Sequence, residues 1–366
     1  MLGSAAARQP EAAQYTPLSL VTMQQLTIRR PDDWHLHLRD GATMAAVLPF
    51  TARRFARALV MPNLTPPVTT TAAALAYRER VIAALPAGAD FTPLMSLYLT
   101  DTTTTQEIDR AAASGFVLGC KLYPAGATTH SEAGVTDVKR LDAVLERMSE
   151  RELALQVHGE VTDPAVDVFD REARFIDAVL APLVARHAAL RVVFEHVSSR
   201  AAVDFVRSAR AGIAATVTPQ HLLLNRNALF QGGLRVHHYC LPVLKRESDR
   251  QAILDAVARG EPRFFLGTDS APHARGAKES ACGCAGVYSA HAAIELYAEV
   301  FEQLGALSKL EDFASSFGAD FYRLPRNQDT ITLERRTWTV PARLAFGTEE
   351  LVPFRAGENI AWALRR

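Results

Sequence analysis

The sequence has few cysteines, no long apolar run and no block of like charge. Its four cysteines are too few and too scattered for a disulfide framework in 366 residues, so a reducing cytoplasm is expected. No stretch of 18 apolar residues occurs, which excludes a transmembrane helix. The 40 basic and 40 acidic residues balance, so neither nucleic acid nor a membrane surface is an expected partner. A small-molecule function in a globular protein fits best.

The only metal-like cysteine motif is Cys-Gly-Cys at 282–284. Its spacing of one residue is shorter than in structural zinc clusters, and there is no second pair to complete a site. A cysteine-based zinc site is therefore disfavoured.

The first 22 residues lack both a basic segment and an uninterrupted apolar core, so they are not a convincing signal peptide. We expect 1–22 to be a disordered leader, or a mis-assigned start preceding Met23. Residues 23–366 are expected to form a single domain.

Eight short apolar segments alternate with amphipathic ones along the chain. This alternation predicts an α/β fold, a (β/α)8 TIM barrel with a parallel sheet covered by helices. The expected strands are 25–30 running into WHLHL, 58–63, 92–99, 115–123, 153–160, 191–197, 212–218 and 263–270.

After residue 285 the pattern predicts two further helices, near 291–307 and 310–322. The remaining tail contains only short strand-like pieces. It is too small for an independent domain, and we expect it to be a C-terminal extension packed on the barrel.

Chemically capable side chains fall at the C-terminal ends of the predicted strands. Successive positions on the fourth, fifth and sixth strands are 37 and 38 residues apart, about one βα unit each. These strand ends converge on one mouth of a barrel, so the side chains should meet in one pocket. They are His35, His37, Lys121, His158, His196 and Asp269.

Imidazole and carboxylate groups are ligands that suit zinc. A single strand histidine is more often a hydrogen-bonded core residue, but independent core histidines have no reason to share one end of the barrel. Lys121 is the exception, because an ammonium repels a metal. It either pairs with a carboxylate or reacts with CO₂ to give a carbamate, which can bridge two metals.

Several long motifs resemble the bacterial dihydroorotases of the short, single-barrel type in the amidohydrolase superfamily. The resemblance runs from about residue 26 to the C-terminus, with no departure at a ligand position. The motifs are RRPDDWHLHLRDG, MPNLTPPVTT, KLYPAGATT, HGE, FEH, TPQHLLLNRN, YCLPVLKR and GTDSAPHARGAKESACGCAG.

The resemblance implies two zinc ions per subunit, bridged by hydroxide and by carboxylated Lys121. It places His35, His37 and Asp269 on one metal and His158 and His196 on the other. Asp269 would also be the general base and acid. The implied reaction is the reversible closure of N-carbamoyl-L-aspartate to L-dihydroorotate in pyrimidine biosynthesis, and a homodimer is implied as well.

The substrate carries a free carboxylate, and Arg39 lies in phase with the two histidines to bind it. The resemblance assigns Asn63 and His273 to the same carboxylate. The alternatives are an exposed ion pair for Arg39, a turn for Asn63 and a loop cap for His273. The resemblance further implies that Thr128 and Thr129 lie on a lid over the substrate, although an ordinary surface loop would have the same sequence pattern. It also implies that the main chain of Leu241 and Ala285 contacts the substrate ring.

Two other functions remain open from the sequence. A hydantoinase or allantoinase would use the same metal ligands, but the carboxylate-binding residues and the start of the first strand near residue 25 favour a dihydroorotase. A non-catalytic barrel that serves as a scaffold for a pathway enzyme would be expected to have lost ligands, and this chain retains all six.

Overall fold

A computed structural model describes residues 24–281 and 283–365 of the chain. The expectations for residues 1–22 and for Cys282 lie outside the described residues. Within the described ranges, no helix is both long and apolar enough to cross a membrane.

Eight parallel strands form the predicted barrel in consecutive order. The first and last are joined through a bridge between Leu36 and Ser270, and Asp269 N donates to His35 O at 2.9 Å. Strand β1 (Gln25–Arg29) lies outside this sheet, and the barrel consists of β2 (Asp32–Leu36), β3 (Arg57–Val60), β4 (Thr92–Tyr98), β5 (Val117–Leu122), β6 (Ala154–Val157), β7 (Val192–Phe194), β8 (Ile213–Val217) and β9 (Phe264–Leu266).

Helices cover the outside of the barrel, and their first turns are commonly capped by a Thr, Ser or Asp side chain that accepts from a free N–H. Thr70, Thr104 and Ser199 act in this way. The helices are α1 (Gly41–Arg54), α2 (Thr71–Ala83), α3 (Thr105–Ala113), α4 (Asp142–Glu150), α5 (Arg171–Phe175), α6 (Ala181–Arg186), α7 (Arg200–Ser208), α8 (Pro219–Leu223), α9 (Glu247–Arg259), α10 (Arg275–Lys278), α11 (Ala293–Gln303) and α12 (Phe317–Phe321).

The C-terminal extension contributes four more strands: β10 (Thr330–Thr339), β11 (Leu344–Phe346), β12 (Glu349–Leu351) and β13 (Asn359–Leu364). Strand β10 pairs antiparallel with both β1 and β13. The prediction that residues 25–30 continue into the first barrel strand was therefore wrong. Pro31 separates two strands, and the first of them completes a small sheet with the C-terminal tail. The early strand start is consequently no argument against a sheet built from both ends of the chain.

The barrel interior is closed at its N-terminal end by α12 and the residues after it. Tyr322 stacks on Trp34 with ring centroids 4.7 Å apart, and both rings are buried. Above them, Gln156 donates to the Tyr322 hydroxyl at 3.2 Å. This packed floor leaves the C-terminal mouth as the open end, as the barrel fold requires.

Candidate metal centre and substrate pocket

His35, His37 and Asp269 place three ligand atoms close together at the barrel mouth. The two Nε2 atoms are 3.2 Å apart, and Asp269 Oδ1 lies 3.4 Å from His35 Nε2 and 3.2 Å from His37 Nε2. Bonds of about 2.05 Å in a tetrahedral site require ligand atoms roughly 3.3 Å apart. The triangle therefore has the dimensions of one face of a zinc site.

The strand alternation explains why both imidazoles point inward. His35 belongs to β2 and His37 follows it, while Leu36 and Leu38 pack in the main hydrophobic core outside the barrel. The side chains predicted to point together do so.

The other two histidines extend this cluster across the mouth. The His196 ring centroid lies 5.1 Å from that of His35 and 4.8 Å from that of His158. Burial lowers the pKa of His35, and those of His37 and His196 fall well below the usual value for the same reason. Neutral imidazole is the form that binds a metal.

Lys121 lies in β5, fully buried beneath the histidines. Its Nζ donates to Glu195 Oε2 at 2.5 Å, and the same oxygen contacts His35 Nδ1. Burial lowers the pKa of Lys121, although Glu195 opposes this shift. The ion pair considered as an alternative for Lys121 is thus present, and the lowered pKa also favours the free amine that reacts with CO₂.

Three of the histidines have one ring nitrogen held by an oxygen. His37 Nδ1 lies 2.8 Å from Asn63 Oδ1, His158 Nε2 lies 2.8 Å from Glu160 Oε2, and His35 Nδ1 meets Glu195. Metal-bound histidines ordinarily have their second nitrogen fixed in this way. The donor set therefore fits a metal at the atoms that remain.

Three residues at the site adopt left-handed backbone conformations that side chains other than glycine rarely take. The φ angles are 65° for Arg39, 43° for His196 and 45° for Asp269. Such strain costs on the order of 1–3 kcal/mol per residue and persists where the surroundings enforce it. Its occurrence at the strand ends is consistent with side chains held in place for function.

The residues assigned to a substrate carboxylate meet beside the metal ligands. Arg39 Nη2 lies 2.9 Å from His273 Nε2, and Arg39 Nε donates to Pro272 O at 2.9 Å. Arg39 is half-buried, and among the described residues its side chain contacts Pro272 and His273 but forms no ion pair with a carboxylate. The alternative of an exposed ion pair is therefore wrong. Asn63 is buried and contacts His37 rather than simply forming a turn.

The loop that carries Thr128 and Thr129 lies over the site. Asn63 Nδ2 donates to Thr129 O at 3.2 Å, and Thr129 Oγ1 donates to Ala285 O at 3.4 Å. The cavity beneath it measures about 20 Å³, room for one water molecule. It is lined by His35, His37, Arg39, Asn63, Tyr123, Thr128, Thr129, His158, His196, Leu241, Asp269, Ala271, Ala285 and Gly286.

A larger surface cleft lies elsewhere. It measures about 650 Å³, and half of its lining residues are threonines from the loops near Thr69 and Thr100. Size alone does not identify the functional site here, because the smaller cavity holds the side chains capable of chemistry.

Residues 32–336 match the model of the amidohydrolase family. The dihydroorotase of Alkalilimnicola ehrlichii is 64% identical over 340 residues, which cover 93% of this chain and 99% of the relative. That of Nitrosomonas europaea is 65% identical over 345 residues, with 94% and 99% covered. The chain belongs to the dihydroorotases of the amidohydrolase family.

Solved dihydroorotases share its architecture. The crystal structure from Campylobacter jejuni superposes with a TM-score of 0.87 at 32% identity, covering 95% of this chain and 99% of the other. The enzyme from Saccharomyces cerevisiae, solved with 5-fluoroorotic acid, gives 0.86 at 32%, covering 94% and 99%. An L-hydantoinase from Arthrobacter aurescens gives 0.75 at 15%, covering 93% and 83%, which shows the shared fold alone.

Sequence reasoning missed two carboxylates of this dihydroorotase site. Glu195 and Glu160 are buried and stand one and two residues from the histidines of FEH and HGE. The signal in the sequence that could have identified them is a glutamate next to, or two residues from, a histidine at the end of a predicted strand. Gly159 lets the HGE segment pass Phe194, because a Cβ there would lie 2.0 Å from that ring.

Two further histidines are buried outside the ligand set, and the first of them is His291. It is 3% exposed and stacks on Tyr288 at 5.7 Å. His221 is buried too, with Nδ1 2.7 Å from Thr218 Oγ1 and Nε2 3.0 Å from Pro242 O. Both ring nitrogens of His221 are thereby occupied, so neither is free to bind a metal.

Proposed function

We propose that the chain catalyses the reversible closure of N-carbamoyl-L-aspartate to L-dihydroorotate and water, a step of pyrimidine biosynthesis. The observation that carries this proposal is the juxtaposition of a carboxylate-binding group, Arg39 with His273, and the triangle of ligand atoms on His35, His37 and Asp269. A metal site without the cationic group would suit any cyclic amide. A cyclic amide that also carries a carboxylate uses both.

The metal centre that we propose holds two zinc ions. His35, His37 and Asp269 would bind one, and His158 with His196 the other. Lys121, carboxylated at Nζ, would bridge them, which requires its amine to leave the ion pair with Glu195. When bound, such ions lower the pKa of a water molecule and polarise the amide carbonyl.

Asp269 would move the proton. In the hydrolytic direction its carboxylate takes a proton from the attacking water and passes it to the ring nitrogen as the C–N bond breaks. In the closing direction the ureido nitrogen attacks the carbon of the protonated side-chain carboxyl group. Asp269 then transfers a proton from that nitrogen to the hydroxyl group, which departs as water. This role is supported by the position of Asp269 Oδ1, which lies 3.4 Å from His35 Nε2 and 3.2 Å from His37 Nε2.

Arg39, Asn63 and His273 would bind the substrate carboxylate. His273 Nε2 faces both an Arg39 N–H and, at 3.0 Å, the Ala285 carbonyl. One ring nitrogen cannot accept from the first and donate to the second at once. A carboxylate between them would resolve this conflict, because it accepts from Arg39 and His273 alike.

Thr128 and Thr129 would cover the bound substrate, and the main chain of Leu241 and Ala285 would contact its ring amides. Because the present cavity of about 20 Å³ holds no more than a water molecule, the loop must move to admit a substrate. Asn63, which contacts both His37 and Thr129, would link the loop to the metal ligands.

We further propose a single domain over 23–366, a homodimer and a cytoplasmic location. The pairing of β1 with β10 supports the single domain, since it ties the two ends of the chain together. Cys120 and Cys240 are buried and free, which suits a reducing compartment. Light scattering of the purified protein tests the dimer.

The test of function is turnover of two substrates by the metal-loaded protein. Ring opening of L-dihydroorotate and of hydantoin is followed by absorbance, and bound metal is measured. We expect about two zinc ions per chain and turnover of dihydroorotate alone. Turnover of hydantoin alone would support a hydantoinase, and a protein that binds no metal and turns over neither would support a scaffold.

A further inference from the structure

Lys278 is a buried lysine whose ammonium lies among main-chain carbonyls. It ends α10 and is 3% exposed. Its Nζ donates to the carbonyls of Tyr239, Cys284 and Gly286, each at 2.8 Å. Three acceptors match the three N–H bonds of an ammonium. Among the described residues, its charge is met by carbonyl dipoles and the Tyr239 ring, 5.6 Å away, rather than by a carboxylate.

The three carbonyls belong to two segments that border the substrate pocket. Tyr239 begins the segment 239–241, which contains Leu241, and Cys284 and Gly286 stand on either side of Ala285 in the segment 284–286. The two segments also meet directly, because Gly286 N donates to Tyr239 O at 3.0 Å. Lys278 therefore fixes the peptide groups that flank Ala285 and ties them to the other segment.

The position of this main chain controls two groups in the pocket. Ala285 O contacts His273 Nε2 at 3.0 Å and accepts from Thr129 Oγ1 at 3.4 Å. Gly286 passes so close to His273 that a Cβ would lie 2.8 Å from its Cδ2 atom. A shift of segment 284–286 would thus move both His273 and the carbonyl oxygen that Thr129 contacts.

We propose that Lys278 is a positioning residue for substrate recognition, which holds segments 239–241 and 284–286 in the arrangement that binds the ring and carboxylate of the substrate. This inference rests on the function proposed above. Lys278 does not line the cavity and acts only through the main chain. Its loss should weaken substrate binding and leave the metal ligands in place.

The principal test compares Lys278→Met with Arg275→Met in the metal-loaded enzyme. Methionine keeps the length of the side chain and removes the donors. Arg275 lies on the same short helix in an exposed ion pair with Glu279, so it controls for loss of charge. We expect KM for dihydroorotate to rise roughly tenfold or more in Lys278→Met, with kcat and bound metal little changed. An unchanged KM would overturn the proposal, whatever happens to the melting temperature.

Hydrogen exchange gives a readout that needs no turnover. In Lys278→Met, amide exchange should accelerate in 239–241 and 284–286 but not in β2 or β5. If the wild-type protein does not act on dihydroorotate, the proposed function fails, while the exchange result still decides whether Lys278 holds the two segments. Faster exchange without a change in KM would show a purely structural role and would contradict the positioning role.

The pH profile of a Cys284→Ser variant that retains Lys278 covers the case in which Lys278→Met does not fold. Burial lowers the pKa of Lys278 to about 8, although the nearby thiols of Cys240 and Cys284 oppose this shift. The charge of Lys278 also acts on His273, and burial raises the pKa of Cys240 to about 12. In a Cys284→Ser background, KM should rise above about pH 8, where one donor is lost. A flat KM to about pH 9.5 would overturn the proposal.

Discussion

Lys121 Nζ and Glu195 Oε2 lie 2.5 Å apart, and both side chains are fully buried. The same carboxylate oxygen contacts His35, so one acidic group holds both a histidine and the lysine expected to become a bridging ligand. Burial alone would raise the pKa of Glu195, but His35 and Lys121 lower it below the usual value. The residue thus remains a carboxylate where its neighbours need an acceptor.

Glu195→Gln should weaken metal binding by roughly 10–100-fold, because the amide is a poorer acceptor for His35 and can turn its N–H₂ group toward it. Competition with a chelator measures the affinity, and Glu302→Gln, in an outlying ion pair with Arg335, is the control. Equal metal affinity in the two variants would show that Glu195 does not orient the ligands.

Lys121→Ala should abolish turnover, since no side chain remains to form the carbamate. Bicarbonate together with short carboxylic acids should restore part of the activity, because a free carboxylate can enter the space of the missing side chain and bridge the metals. Activity is assayed with and without the added acid. Full activity in the unsupplemented variant would rule out a bridging role for Lys121.

Arg39→Met should raise KM for dihydroorotate by roughly 10–100-fold, since a hydrogen bond to a charged group contributes about 1.5–3 kcal/mol. Any residual turnover of an uncharged cyclic amide should be unaffected, because that substrate offers no carboxylate. Steady-state kinetics on both substrates separate the two effects. A parallel loss on both would mean that Arg39 supports the fold of the pocket rather than the carboxylate.

His291 should make folding sensitive to acid. Burial lowers its pKa to about 3, while the unfolded chain retains about 6.5. The unfolded state therefore binds more protons between these values, so stability is complete above about pH 6.5 and is lost as pH falls toward 3. At pH 5 the loss is about 2 kcal/mol.

His291→Gln should flatten this dependence between pH 7 and 5, as measured by urea unfolding at a series of pH values. His237→Gln, which alters a more exposed histidine paired with Glu279, should leave it unchanged. The idea fails if both variants keep the slope of the parent protein.

Periodicity was enough to predict the barrel and the convergence of its strand ends. Alternation in β2 sets His35 and His37 on one face, and the spacing of one βα unit brings Lys121, His158 and His196 to the same mouth. Both signals are local, so they can be read from the chain. The resemblance to dihydroorotases supplied the remaining assignments, including Asn63 and His273.

Other features depend on groups distant in sequence. Residues 25–29 look like the start of a barrel strand, but they pair with residues 330–334. The burial of His291 likewise has no local signature. A strand-like or polar segment has several possible neighbours, and only packing of the whole chain chooses among them.

The sequence by itself determined the parallel barrel, and it placed the candidate metal ligands at one end of it, because side-chain alternation and repeat spacing are properties of the covalent chain. Only the tertiary structure decided which oxygens contact His35, His37 and His158, and that Glu195 joins Lys121 to His35. It also decided that Lys278 joins the segments 239–241 and 284–286 by hydrogen bonds. Several of those contacts join residues that are distant in sequence, such as His37 with Asn63, Lys121 with Glu195 and Lys278 with Tyr239, and their geometry is set by packing to within an ångström.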